Sequence, residues 1–183
     1  MVQENVILWI DLETTGAGEE AEILEFGAIL TDTSVELNEL SRFTATVYSK
    51  KPYEAEIVAQ MHEESGLTEA LSFPDFWDMP SLEKSVIKWI HDTIGTSKEH
   101  IPWGGSGVGH FDSRFIRKYM PTFSKMLTYW TYDVGVVRRM LRLAGALDEI
   151  DEVKTHRALD DIDLHVKEAR HYLFLMRAKE GVY

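Results

Sequence analysis

The chain has 183 residues, with 31 Asp and Glu against 19 Lys and Arg, for a formal net charge of −12. Its hydrophobic share of 44% and charged share of 27% exclude wholesale disorder, and its length fits a single domain over residues 1–183. It has no cysteine, which excludes a disulfide scaffold, a thiolate zinc site and a cysteine nucleophile and fits a reducing, cytoplasmic setting; no apolar run approaches the roughly 20 residues of a membrane span, and the start of the chain lacks the basic region of a signal peptide, so no membrane association is expected.

Residues 6–10 form a near-continuous apolar run, the mark of a strand buried on both faces. Residues 23–30 and 42–48 read as two more strands, the second alternating at Phe43, Ala45 and Val47. Gly16 and Gly18 in the first turn point to a hairpin-linked antiparallel meander. Residues 54–62 make a short helix. Ser81 opens a stronger one, with Leu82, Val86, Trp89, Ile90 and Thr93 along one face and Gly95 as its stop. Residues 101–104 read as a short strand leading into a glycine-rich turn. Residues 112–119 form a helix closed by Pro121, and residues 133–144 another ended by Gly145. The last helix has the clearest period, with Leu159, Ile162, Val166, Ala169, Leu173 and Met176 at spacings of three and four. The aromatic segment 71–80 fits no element. Strands first, then helices interleaved with short strands, predict an α/β domain with a mixed sheet.

The charge is unevenly placed. Residues 1–41 hold ten acids and no Lys or Arg, whereas residues 113–142 hold seven basic residues against Asp133 alone. Two readings follow: solvated faces that attract each other, or an acidic metal centre beside a phosphate-binding rim. The acidic balance argues against bulk binding of long nucleic acid.

Three short clusters carry chemistry. Asp11 and Glu13 stand two apart at the end of the first strand, so they project to the same face. Two carboxylates that close repel unless a cation lies between them, and hard oxygen ligands suit Mg²⁺ or Mn²⁺. The ordinary alternative is a solvated strand edge. Asp112 follows a glycine-rich turn and also reads as a helix cap. His156 precedes Asp160 and Asp161, which also complement the positive end of the last helix. Taken together, the acid pair on the strand, the acid at the glycine turn and the acid five residues after the histidine supply four carboxylates beside one base, the inventory of a two-metal phosphodiesterase.

The order D-x-E, then D, then H-x(4)-D resembles the DEDDh class of 3′→5′ exonucleases, and within it the oligoribonucleases. The supporting stretches are Trp9-Ile10-Asp11-Leu12-Glu13, His62-Glu63-Glu64-Ser65-Gly66-Leu67-Thr68, Arg117-Lys118-Tyr119-Met120-Pro121, Tyr132-Asp133-Val134 and His156-Arg157-Ala158-Leu159-Asp160-Asp161-Ile162. The resemblance implies an RNase H-like fold, with a mixed five-stranded sheet flanked by helices, and a homodimer. It implies that Asp11, Glu13, Asp112 and Asp161 hold two Mg²⁺ or Mn²⁺ ions and that His156 is the general base. By the family pattern Asp161, five residues after the histidine, would be the ligand, and Asp160 would not. Leu12, Thr14 and Gly16 would border the terminal nucleotide, His62 would lie near its base, and Trp130 and Arg138 would meet the rest of a short substrate. The activity implied is release of 5′-mononucleotides from short single-stranded RNA.

The chain departs from the oligoribonuclease pattern at Thr14 and Ala17 beside the catalytic strand, at Ile57 in place of tryptophan, at Trp130 in place of arginine and at Gly135 in place of serine. The stretch Glu13-Thr14-Thr15-Gly16 is closer to proofreading exonucleases. A DNA-directed or broad-specificity exonuclease is therefore the alternative within the same chemistry. A non-catalytic RNase H-like binding module and a metal phosphatase on small molecules are the alternatives outside it.

Overall fold

A computed structural model describes residues 5–73, 77–95, 100–147 and 155–178. In chain order its elements are β1 (Val6–Thr14), β2 (Ile23–Asp32), β3 (Glu39–Thr46), α1 (Glu56–Glu64), α2 (Leu67–Ala70), α3 (Met79–Ile94), β4 (Ile101–Gly105), α4 (Asp112–Tyr119), α5 (Pro121–Ser124), β5 (Leu127–Asp133), α6 (Val134–Leu143) and α7 (Ala158–Ala178). The strands form one five-stranded sheet in the order β3-β2-β1-β4-β5. The β1–β2 and β2–β3 pairs are antiparallel, as the meander predicts, and β1–β4 and β4–β5 are parallel. This is the mixed, helix-flanked sheet expected.

Alternation along β1 divides the core. Val6, Leu8, Ile10 and Leu12 join a cluster with Leu82, Val86 and Ile90 of α3 and Phe115 and Ile116 of α4. Ile7 and Trp9 join Ile162, Val166, Ala169 and Tyr172 of α7 on the opposite face. Both faces are covered, so the strand is apolar on both sides until its last turns, where the second face continues as Asp11 and Glu13. These acids therefore emerge on the side that carries α7.

Gly27 lies opposite Asp11 in the β1–β2 register. A Cβ there would sit 2.7 Å from Ala158 Cβ and 3.0 Å from the Ala158 backbone. The bare glycine lets the start of α7 rest directly on the sheet, beside the end of β1.

Several elements differ from expectation. β1 continues to Thr14, so the acids belong to the strand itself. β5 is a strand that residue patterning did not single out, because its Thr, Tyr and Trp residues alternate without aliphatic partners; its edge leaves Tyr129, Trp130 and Tyr132 exposed. Asp133 is the cap of α6, not its first residue, and accepts from Val136 N at 3.0 Å. Asp78 likewise caps α3, accepting from Ser81 N at 2.7 Å. Within the unassigned segment, Trp77 bridges to Val47 and α3 begins at Met79, while residues 74–76 lie outside the described residues. Leu173 and Met176 are exposed, because the packed face of α7 ends at Tyr172. Among the described residues no helix is long and apolar enough to cross a membrane.

Candidate active site

The carboxyl ends of the parallel strands β1 and β4 open into a cleft of about 350 Å³, the usual place for a ligand in an open α/β sheet. Asp11, Leu12, Glu13, Thr14 and Gly16 enter it from β1 and the following turn, Asp112 from the start of α4, and His156 and Asp161 from the approach to α7. The four acids are buried, and His156 is half-buried. One atom each from Glu13, His156 and Asp161 lies within 4.8 Å of the others.

Each group is held by its surroundings. Glu13 Oε2 lies within hydrogen-bond distance of His62 Nε2, at 2.9 Å. Asp161 Oδ1 accepts from Thr155 N at 3.0 Å and Thr155 Oγ1 at 2.8 Å, which ties the loop ahead of α7 to the helix. His156 itself has φ of 55°, a left-handed conformation uncommon for a residue with a Cβ. Asp112 is the first residue of α4 and follows the cap position, Phe111. The turn ahead of it is fixed by Gly107 N, which donates to Asp133 Oδ1 at 3.2 Å.

The turn after β1 is also tied by hydrogen bonds. Thr14 Oγ1 donates to Gly16 O at 2.6 Å, Thr15 N to Glu22 O at 2.9 Å, and Gly18 N to Glu54 Oε2 at 2.7 Å.

The structure thus gathers Asp11, Glu13, Asp112, His156 and Asp161, with Leu12, Thr14 and Gly16 at the rim. Asp160 is exposed and stands outside. Three expected substrate contacts are placed elsewhere. His62 is fully buried behind Glu13, packed on the Tyr53 ring at 5.4 Å, because α1 folds against the end of β1. Arg138 is buried between α6 and α7, where its guanidinium pairs with Glu168 at 2.5 Å. Trp130 projects from the edge strand into a separate groove with Arg117 and Lys125. The neighbouring Arg139 lies closer to the cleft: a Cβ at Gly135 would be 2.8 Å from Ser106 Oγ, in the cleft wall, and 3.5 Å from Arg139 Nη1.

Val58 and Met61 of α1 and Ser106 also line the cleft and were not anticipated. The spacing of three between Val58 and Met61 on one helix face is the signal that marks them. Ile57, at the position of the missing tryptophan, points to solvent.

A buried group of four carboxylates repels itself without a cation, and this donor set, rich in oxygen, fits a hard divalent ion.

Residues 8–169 match the family described as Exonuclease (RNase_T). The chain belongs to this exonuclease family, whose members hydrolyse phosphodiester bonds. Within it the chain is similar to oligoribonucleases. It is 31% identical to the oligoribonuclease of Shewanella loihica over 184 residues, covering 92% of this chain and 94% of that one. It is also 31% identical to the mitochondrial oligoribonuclease of Homo sapiens over 176 residues, covering 91% of this chain and 71% of that one. In structure it is similar to the zinc-bound form of E. coli ExoI with single-stranded DNA, at a TM-score of 0.66 and 16% identity, covering 98% of this chain and 42% of that one. A 3′-exonuclease that recognises a histone mRNA stem-loop gives a TM-score of 0.59 at 20% identity over 92% of this chain and 63% of that one. At such identity these two likenesses speak to the fold, which is RNase H-like.

Proposed function

We propose that residues 1–183 act as one catalytic domain that removes 5′-mononucleotides from the 3′ end of short single-stranded RNA. The observation that carries this reading is the convergence of Asp11, Glu13, Asp112, His156 and Asp161 on one cleft. Asp11, Glu13, Asp112 and Asp161 would hold two Mg²⁺ or Mn²⁺ ions. When bound, such ions supply the positive charge that acidifies a water and stabilises a departing 3′ oxygen. His156 takes a proton from the attacking water onto a free ring nitrogen. Water adds to the terminal phosphorus, and the bond from phosphorus to the 3′ oxygen of the penultimate nucleotide breaks. The released nucleotide keeps the 5′ phosphate, and the shortened chain keeps a 3′ hydroxyl once its oxygen takes up a proton. The backbone and side chains of Leu12 and Thr14 and the turn at Gly16 border the terminal nucleotide, facing Val58 and Met61 across the cleft.

The relatives' name, oligoribonuclease, supports RNA of a few nucleotides as substrate. Ala17 and Gly135, smaller than the family's leucine and serine, favour a second reading in which DNA or longer strands are also taken. We further read the protein as a homodimer, because the resemblance implies one and because Trp77 and Trp130 are exposed aromatics that a second copy would cover. The lack of cysteine supports a cytoplasmic setting.

A panel of 3′-labelled RNA and DNA strands of about two, five and twenty nucleotides tests the substrate assignment. The expected result is fastest release from the shortest RNA. Equal rates on RNA and DNA of all lengths would establish the second reading instead.

A further inference from the structure

Glu25 sits in the interior of β2 and is 3% exposed, an unusual place for an acid. In the β1–β2 register it lies directly opposite Glu13, so two carboxylates share one face of the sheet. Glu25 is satisfied from one side. Arg157 Nη2 donates to Oε1 at 2.8 Å, and Arg157 Nε lies 3.2 Å from both oxygens. Ala158 N, at the start of α7, donates to Oε2 at 2.9 Å. The residue just before this anchor is His156, with its left-handed backbone. The residue before that, Thr155, is tied to Asp161. His156 is therefore the apex of a loop fastened on both sides.

We propose that Glu25 and Arg157 are positioning residues: their fork fixes the His156 backbone so that the imidazole faces Glu13 and Asp161. The proposal rests on His156 being the base. It assigns the two facing carboxylates different tasks, Glu13 to the cleft and Glu25 to the loop. Arg157 neutralises Glu25 from the loop side, so the pair adds no unbalanced charge beside Glu13. Such a fork needs the planar guanidinium, because an ammonium cannot donate along two parallel lines.

The test is a double-mutant cycle on the full chain, using single-turnover cleavage of a five-nucleotide RNA with Mn²⁺. The variants are Arg157→Lys, which keeps the charge, and Glu25→Gln, which keeps an acceptor for Ala158 N. Each is made alone and with His156→Ala. Alone, each is expected to slow cleavage about tenfold to a hundredfold with KM little changed, as a misplaced catalytic group does. In the His156→Ala background each should have under about a twofold effect, because the group it positions is gone. Metal-free protein supplies a second readout: the ¹⁵N ring signals of His156 should shift or split in Arg157→Lys, while those of His62 stay in place. A wild-type rate in both single variants overturns the proposal. So does an equal loss with and without His156, which would place the effect on something else. Failure of both variants to fold, read by melting, overturns it as well, since the pair would then be a fold determinant. If His156→Ala alone keeps the wild-type rate, the base assignment fails first, and that result is distinct from the others.

Discussion

Asp160 and Asp161 are neighbours in the chain and differ only by their place on the first turn of α7. The helix period sends Asp161 inward against Glu13 and His156 and leaves Asp160 in solvent. Asp161→Ala is therefore expected to abolish turnover, and Asp160→Ala to retain most of it. Initial rates on a short RNA with Mn²⁺ check this, and equal loss in both would show that the wrong acid was assigned. The family resemblance made this choice legible, because its pattern puts the ligand five residues after the histidine. His62 was not legible in the same way. Its bond to Glu13 spans 49 residues and depends on how α1 packs on the end of β1, which no local pattern encodes. Glu25 carried a signal of another kind: an acid inside an apolar strand must be paired if it is buried, but its partner Arg157 is 132 residues away.

At the scale of elements, the site depends on how closely α7 approaches the sheet. Gly27 allows that approach. Gly27→Ala puts a methyl against Ala158 and Ile162, so it should displace the helix that carries Asp161 and the loop that carries His156. The expected cost is about 1–3 kcal/mol of stability, as for overpacking in other cores, together with a fall in turnover. Urea unfolding and initial rates measured on the same preparation check both; unchanged stability and activity would show that α7 can shift without consequence. The meander could be read from its apolar runs and the glycine turn between them, and α7 from its hydrophobic period. β5 could not, because an edge strand buries little and its Tyr and Trp residues carry no alternation of polarity. Asp133 reads as helix in the sequence because its side chain serves both the turn and the helix, accepting from Gly107 N and Val136 N.

At the scale of the molecule, the net charge of −12 resolves into local pairs and one cleft. Glu20 pairs with Lys51, Glu39 with Arg42 and Glu25 with Arg157. Asp32 closes the turn after β2, where the Ser34 hydroxyl holds its carboxyl below the ordinary range. Of the early acids, Asp11 and Glu13 face the cleft. Three side chains of the basic segment 113–142 are held by contacts within the chain, whereas Arg117 and Lys125 line the groove beside Trp130. Arg138 is committed to Glu168, Lys118 donates to Glu19 O, and Arg114 lies over the Phe111 and Phe115 rings. These commitments depend on tertiary contacts, so composition alone could not reveal them. The proposed homodimer would cover exposed aromatics such as Trp77 and Trp130: sedimentation at working concentration should give twice the chain mass, and a monomer mass would contradict it. Hydrolysis of the 3′ terminal phosphodiester by the five gathered residues, with the aid of a divalent ion, is the proposed activity. It is tested most directly by incubating a 3′-labelled short RNA with the protein in Mn²⁺, with and without EDTA. Release of labelled 5′-mononucleotide in Mn²⁺, and none in EDTA, is the predicted result; no release from RNA or DNA in Mn²⁺ would contradict it.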